Sequence, residues 1–169
     1  MDVLEAIYTR RSIRKFTGEV ISDNQLKSIL KAGFYAPSAN NYQPWHFVIV
    51  RNKKMLESMS GIHPYAKMLP NAGCGIIVCG DTTKQAEMGF LIEDCSAAIE
   101  NMLLAAHGIG LGSVWISLYP ITSRYQPIAS ILNIPENFIP VGMIAVGQKA
   151  EVKNTNERYH QDKIHFEQW

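Results

Sequence analysis

The segment from Gln85 to His107 constrains this chain more than any other. Ile92, Cys95, Ile99, Met102, Leu103 and Ala106 recur there with a period near 3.6, which gathers them on one face of a helix. Gly108 follows where a C-terminal cap would stand. A long helix with a continuous apolar face needs an apolar layer to lie against. The chain offers four strand candidates for that layer: Trp45 to Val50 and Gly75 to Cys79, both read as buried, then Ser113 to Ile116 and Val141 to Val146.

Shorter helices frame these elements. Asp2 followed by Glu5 has the form of a capping box, and Leu4, Ile7 and Tyr8 follow at helical spacing, so a short opening helix delivers Arg10 and Arg11. Ser22 and Gln25 repeat the signal before Leu26, Ile29, Leu30 and Gly33, which predicts a second helix ending before Pro37. Another is expected near Ile128 to Leu132, terminated by Pro135. From Gln148 to Trp169 the apolar period fades, yet Tyr159, Ile164, Phe166 and Trp169 are too hydrophobic for a free linker, so the tail should dock on something. There is no internal repeat, and 169 residues suit a single domain spanning 1–169 with a core of its own.

Composition excludes several classes. With 47% hydrophobic and 18% charged residues the chain is too apolar for disorder. No apolar run approaches the roughly 20 residues of a membrane helix, so no membrane partner is expected. Met1 and Asp2 lead into an amphipathic segment and not a basic stretch with an apolar core, which points to a cytoplasmic location. A net charge of +1 argues against nucleic acid as a partner, and any basic site must be local. Cys74, Cys79 and Cys95 fit neither a zinc site nor a C-x-x-C pair and read as buried free thiols. His46, His63, His107, His160 and His165 lack metal-ligand spacing, so no metal is expected and core or surface positions are the better reading. Gly108 to Ser113 imitates a dinucleotide fingerprint but follows a helix and precedes a strand, the reverse of the required order. It reads as a cap and tight turn.

Two constellations carry chemistry. In Arg10-Arg11-Ser12-Ile13-Arg14 an extended backbone would point residues 10, 12 and 14 to one side, offering two guanidinium groups and a hydroxyl to an anion such as phosphate. A solvated basic turn at a helix end is the alternative. Pro37-Ser38-Ala39-Asn40-Asn41-Tyr42-Gln43-Pro44-Trp45 is dense in turn formers and carboxamides, which suit the donor and acceptor edge of a heterocycle. A loop that caps itself through its own amides is the equal alternative.

Together the R-R-S-x-R-x-F cluster and the P-S-x-x-N-x-Q-P-W segment resemble the nitroreductase family of FMN enzymes. The resemblance continues through Gly110 to Ile116, through Ile134-Pro135-Glu136 to Gly147, and through Asn156-Glu157-Arg158-Tyr159 to Trp169. It implies an α+β fold, an α/β/α sandwich with a central, mainly antiparallel sheet flanked by helices. Residues 148–169 would form a C-terminal extension packing on the partner subunit of a homodimer. Arg10, Ser12 and Arg158 would hold the FMN phosphate and ribityl region with Arg11 assisting, and Arg14 would face the pyrimidine edge. Pro37, Ser38, Ala39, Asn40 and Gln43 would reach the flavin of the other subunit. Trp115, Ile116 and Ser117 would lie along the isoalloxazine ring, with the backbone N–H of Ser117 or Leu118 near flavin N5, and Lys67 would stand beside the ring. Asn156 departs from the family's usual lysine and removes one positive charge, and the short chain leaves little room for lid helices, which implies an open pocket.

The implied activity is ping-pong transfer of hydride from NADH or NADPH through flavin N5 to an electron-poor small molecule such as a nitroaromatic or quinone. Because the flavin carries the chemistry, no catalytic side chain is required. A specialised relative performing dehalogenation, dehydrogenation or flavin breakdown, or a flavin-binding module without turnover, are the alternatives.

Overall fold

Side-chain caps set where the first helices begin in the computed structural model, which describes residues 1–169. The Asp2 carboxylate accepts the N–H groups of Leu4 and Glu5 at 2.8 and 3.1 Å and starts α1, Val3–Thr9. Ser22 and Gln25 exchange reciprocal hydrogen bonds and start α2, Asp23–Phe34. Asn52 does the same alone for α3, Lys53–Ile62, which the sequence periodicity did not single out.

The long helix, α4, runs Met88–Gly108. It begins three residues later than Gln85, because the Gln85 N–H closes a turn on the Asp81 carbonyl. Gly108 is its last helical residue, not its cap. The left-handed φ of 89° falls at Gly110, where Gly110 N–H reaches the His107 carbonyl and Leu111 N–H reaches that of Ala106. This paired closure is a Schellman motif, and glycine enters it without steric cost. α5, Thr122–Ile131, starts well before Ile128 and contains Pro127. Its end repeats the same pattern with Asn133 at φ 51° and bonds from Asn133 to Ser130 and from Ile134 to Ala129. The terminator is therefore Asn133; Pro135 only follows it.

Four strands, β1 (Trp45–Val50), β2 (Cys74–Asp81), β3 (Gly112–Ser117) and β4 (Phe138–Gly147), pair antiparallel in the order β1-β2-β4-β3. β2 is buried along its whole length. β1 is not: it is an edge strand, with Trp45 and Val50 buried and His46 exposed. A residue in excess distorts the central pair, since Val78 faces Gly142 while Cys79 faces Pro140, leaving Val141 as a bulge.

One face of the sheet packs Ile76, Val78, Ile144 and Val146 against Cys95, Ile99, Met102 and Leu103 of α4, with α2 outside it through Ile29. The other packs Ile77, Val114, Ile116, Met143 and Ala145 against Leu56 and Met59 of α3 and Ile128 of α5. Each fully buried aliphatic side chain contributes about 1.5–3 kcal/mol, so neither face could be left uncovered. The result is the α/β/α sandwich that the resemblance implied.

The tail divides in two. Gln148 to Lys153 stays on its own chain: Thr17 N–H donates to Gln148, Ala150 N–H donates to Lys15, and the Glu151 carboxylate accepts the N–H groups of Arg14 and Lys15. Those bonds, that from Arg14 first, hold the Glu151 carboxyl below the usual carboxylate range. The extension therefore begins with six residues bonded to their own chain. Beyond them Tyr159, Phe166 and Trp169 are exposed and the backbone bonds are local. No helix is long and apolar enough to cross a membrane.

Candidate active site

β3 is the other edge of the sheet, and half of its outer edge is left open. The chain after α1 runs parallel to its start, with Ser12 beside Ser113 and the Ile13 N–H donating to the Ser113 carbonyl at 2.9 Å. Because backbone groups alternate along a strand, the outward carbonyl of Ser113 implies outward N–H and C=O groups at Trp115 and Ser117 as well. The Ser117 carbonyl is taken by His63 Nε2 at 3.0 Å, which agrees with that alternation. The Leu118 N–H turns inward to the Val141 carbonyl at 3.2 Å. The open edge therefore presents the N–H groups of Trp115 and Ser117.

A cavity of about 350 Å³ lies against this edge. Its walls come from four places: Arg14 on the segment after α1, Val114 to Ser117 on β3, His63 to Met68 in the loop after α3, and Arg124 in the first turn of α5. Arg14, Lys67 and Arg124 line it, and no carboxylate does. Lys67 is tethered through its Nζ to the Ser60 carbonyl at 3.3 Å. Arg124 rests over the Tyr65 ring at 5.6 Å.

His63 is buried at the back of the cavity with 1% exposure. Its Nδ1 accepts the Tyr65 N–H at 3.2 Å, so the proton sits on Nε2, where it is donated to Ser117. Burial lowers the His63 pKa, the Ser117 bond raises it, and the Arg124 charge lowers it further. The neutral ring thus acts as a strut that fixes the β3 edge. The cavity holds no reactive thiol, and burial pushes Cys74, Cys79 and Cys95 each up to about 12, which keeps them protonated and inert. No group of three His, Cys, Asp or Glu residues could hold a metal.

The sequence-derived residues fall into three places. Arg14, Lys67, Trp115, Ile116 and Ser117 meet in the cavity. Arg10, Arg11 and Ser12 do not: Arg10 pairs with Glu100 of α4 at 3.3 Å, Arg11 bonds the carbonyls of Tyr8 and Arg10, and the Ser12 carbonyl receives Lys153 Nζ at 2.8 Å. His107, hydrogen-bonded to Thr9 beside them, has its pKa lowered first by burial and then by Lys149 and Arg10, against the opposite pull of Glu5. Arg158 lies apart on the exposed tail.

The third place is the loop of Pro37, Ser38, Ala39, Asn40 and Gln43, which contributes nothing to the cavity of its own chain. Asn40, Asn41 and Gln43 all have positive φ, and the loop partly satisfies itself: Gln43 N–H bonds Ser38 Oγ and Gln43 Nε2 bonds Asn41 Oδ1. Ala39 N–H is held by the buried Asp94 of α4 at 2.8 Å. Sequence reasoning missed Asp94, His63, Tyr65 and Arg124. His63-Pro64-Tyr65 stands just upstream of Lys67 and was the available signal; Arg124 and Asp94 carried none.

The family model described as Nitroreductase family matches residues 7–63 and 62–148. The chain belongs to the nitroreductase family. A protein of Methanothermobacter thermautotrophicus named "Putative NADH dehydrogenase/NAD(P)H nitroreductase" is 45% identical over all of this chain and 88% of its own. A Parabacteroides distasonis protein of the same description has a crystal structure that superimposes with a TM-score of 0.94 at 36% identity, covering 98% of each chain. A Desulfovibrio desulfuricans protein crystallised in complex with FMN, and described as a nitroreductase in the same qualified way, gives 0.88 at 30% identity, covering 100% of this chain and 98% of its own. Within the nitroreductase fold of this chain, the open half of the β3 edge and three cations line a cavity of about 350 Å³.

Proposed function

We propose that the protein is an FMN-dependent oxidoreductase that takes hydride from NADH or NADPH and passes it to an electron-poor acceptor, a nitroaromatic or a quinone, as a homodimer in the cytoplasm. The observation that carries this reading is a cavity that sets two outward backbone N–H groups beside three cations, with no carboxylate in its lining. A flavin edge offers carbonyl oxygens and a ring nitrogen and gains negative charge on reduction, so a lining of donors fits it. FMN, when bound, supplies the two-electron chemistry.

The chain's own residues bind and orient. Ser117 is the N–H donor for the reactive edge, since the Leu118 N–H is occupied by Val141. Arg14 and Lys67 set positive charge beside the pyrimidine side and favour the reduced, anionic form. Val114, Ile116 and Met68 give the apolar surface on which a ring stacks. Arg10, Arg11 and Ser12 would form the phosphate corner with Arg158 of the tail, and Lys153, paired with Glu151 at 3.7 Å, reaches the same corner through the Ser12 carbonyl. Pro37, Ser38, Ala39, Asn40 and Gln43 would serve the partner's site, with the tail beyond Lys153 crossing between subunits. The 45% and 36% identities over nearly full length support the assignment of NAD(P)H and acceptor.

The test is direct. Heat-released cofactor from the purified protein should be FMN by absorbance and mass, and initial rates of NAD(P)H oxidation should rise with a nitroaromatic or quinone in the parallel-line pattern of ping-pong kinetics. FMN release without any acceptor-dependent rate would leave only a flavin-binding module and overturn the enzymatic reading.

A further inference from the structure

Arg124 is the one cation of the cavity that the cofactor reading leaves unused. It sits in the first turn of α5, Thr122–Ile131, where a positive charge opposes the helix dipole. That position gives the helix nothing, so any use of the charge lies in the cavity that the side chain lines. Its guanidinium has no carboxylate or carbonyl partner within the chain; it lies half-buried over the Tyr65 ring at 5.6 Å. A cation–π contact of this kind restrains the side chain while using none of its N–H groups, which stay free for a planar anion. Its charge is felt inside the cavity, since it lowers the pKa of His63, which is bound to Ser117 on the β3 edge.

We propose that Arg124 selects the acceptor, and that the compounds it selects are aromatic rings bearing a carboxylate; the proposal rests on the reading of this cavity as a flavin and acceptor site. Three features favour that class. Arg124 lines the same cavity as Ile116 and Ser117, so an anion it binds must lie close to the ring stacked there. In a nicotinamide nucleotide a sugar separates the phosphates from the ring, whereas a carboxylate on the ring itself brings its charge within the span of a cavity of about 350 Å³. The complete absence of carboxylates from the lining removes repulsion for an acid and leaves a neutral ring with no matching partner for the fork. A planar carboxylate accepts two parallel hydrogen bonds from a guanidinium, which a carboxamide cannot reproduce.

The test is a calorimetric titration of the purified holoprotein with benzoate and with benzamide, its neutral isostere, for the wild type, Arg124→Gln and Arg124→Lys. Calorimetry reads binding whether or not any acceptor is turned over. Wild type should prefer benzoate, Arg124→Gln should weaken benzoate about tenfold or more and erase the preference, and Arg124→Lys should restore part of it. In turnover, the ratio of kcat/KM for 4-nitrobenzoate over 4-nitrobenzamide should fall in parallel. Thermal melts of the variants matching wild type would show that folding is intact. A preference for benzoate that survives in Arg124→Gln, equal binding of both ligands by wild type, or an effect of Arg124→Gln confined to the KM for NADH or NADPH would each overturn the proposal. Loss of all acceptor turnover with the benzoate result intact would instead overturn the redox reading alone.

Discussion

Replacing Gly142 with alanine tests the packing behind the cavity-lining strand. Gly142 of β4 lies opposite Ser117 of β3, and the Trp115 indole lies across it. A Cβ at 142 would stand 2.6 Å from Trp115 Nε1 and 3.1 Å from Ile99 Cδ1. Carbon contacts settle at about 3.5–4.0 Å, so the indole must retreat by about 1 Å while the fully buried Ile99 holds its place. Overpacking of this kind costs about 1–3 kcal/mol. At roughly 2–4 °C per kcal/mol for a chain of this size, Gly142→Ala should melt roughly 2–12 °C lower at fixed protomer concentration. Trp115→Phe removes the atoms the methyl would meet, together with a buried N–H that has no partner, so the double variant should recover most of the loss. Urea denaturation, read as midpoint with unchanged slope, measures the coupling. Simple additivity of the two single losses would refute the assignment of the contact to the indole.

Three further outcomes are expected. Asp94→Ala strips the acceptor from the Ala39 N–H, which should cost about 1–3 kcal/mol and speed amide exchange across residues 38–43, whereas Asp94→Asn should retain most of the protection; equal exchange in all three proteins would show that Asp94 does not hold the loop. The His63 pKa is lowered in the fold, so below about pH 6.5 the unfolded chain takes up a proton that the folded chain refuses. Stability should be level above that pH and fall as acid is added, by at most about 1.4 kcal/mol per pH unit for this group, and His63→Gln should flatten the fall in urea midpoints between pH 8 and 5. Deleting residues 154–169 should leave the secondary structure by circular dichroism unchanged but abolish dimerisation and FMN retention, since residues 148–153 already satisfy the protomer's own backbone; a truncated protein that stays dimeric and yellow would end the exchanged-tail reading.

The long helix and the strands were legible because their signals are local. The 3.6 period of α4 and the β-branched runs of β1 to β4 are properties of consecutive residues, and burial on both sheet faces enforces them. What was misread depended on neighbours far along the chain. Trp45 to Val50 is as apolar as Cys74 to Asp81, yet only the second lies between two strands, and strand order is not written in either segment. Residue type points to Gly108 and Pro135 as terminators, while the true closures at Gly110 and Asn133 are set by which residue takes the left-handed conformation. In the candidate site, motifs located Arg14 and Trp115 to Ser117. His63 and Arg124 escaped because a strut to a carbonyl 54 residues away and a cation stacked on a loop tyrosine leave no pattern in the local sequence.

The segment from Ser12 to Thr17 is made early in synthesis but stays without partners for most of it. Arg14 waits for Glu151, 137 residues downstream, and Ser12 for Lys153, 141 residues downstream. A nascent chain can complete its β1-β2 hairpin and even α4 long before this strip is anchored, so this corner closes last, when the C-terminus has left the ribosome. Loss of residues 148–153 to a premature stop or to C-terminal clipping therefore leaves the sheet and its helices with their partners but strips the Ser12 to Thr17 strip of most of its own.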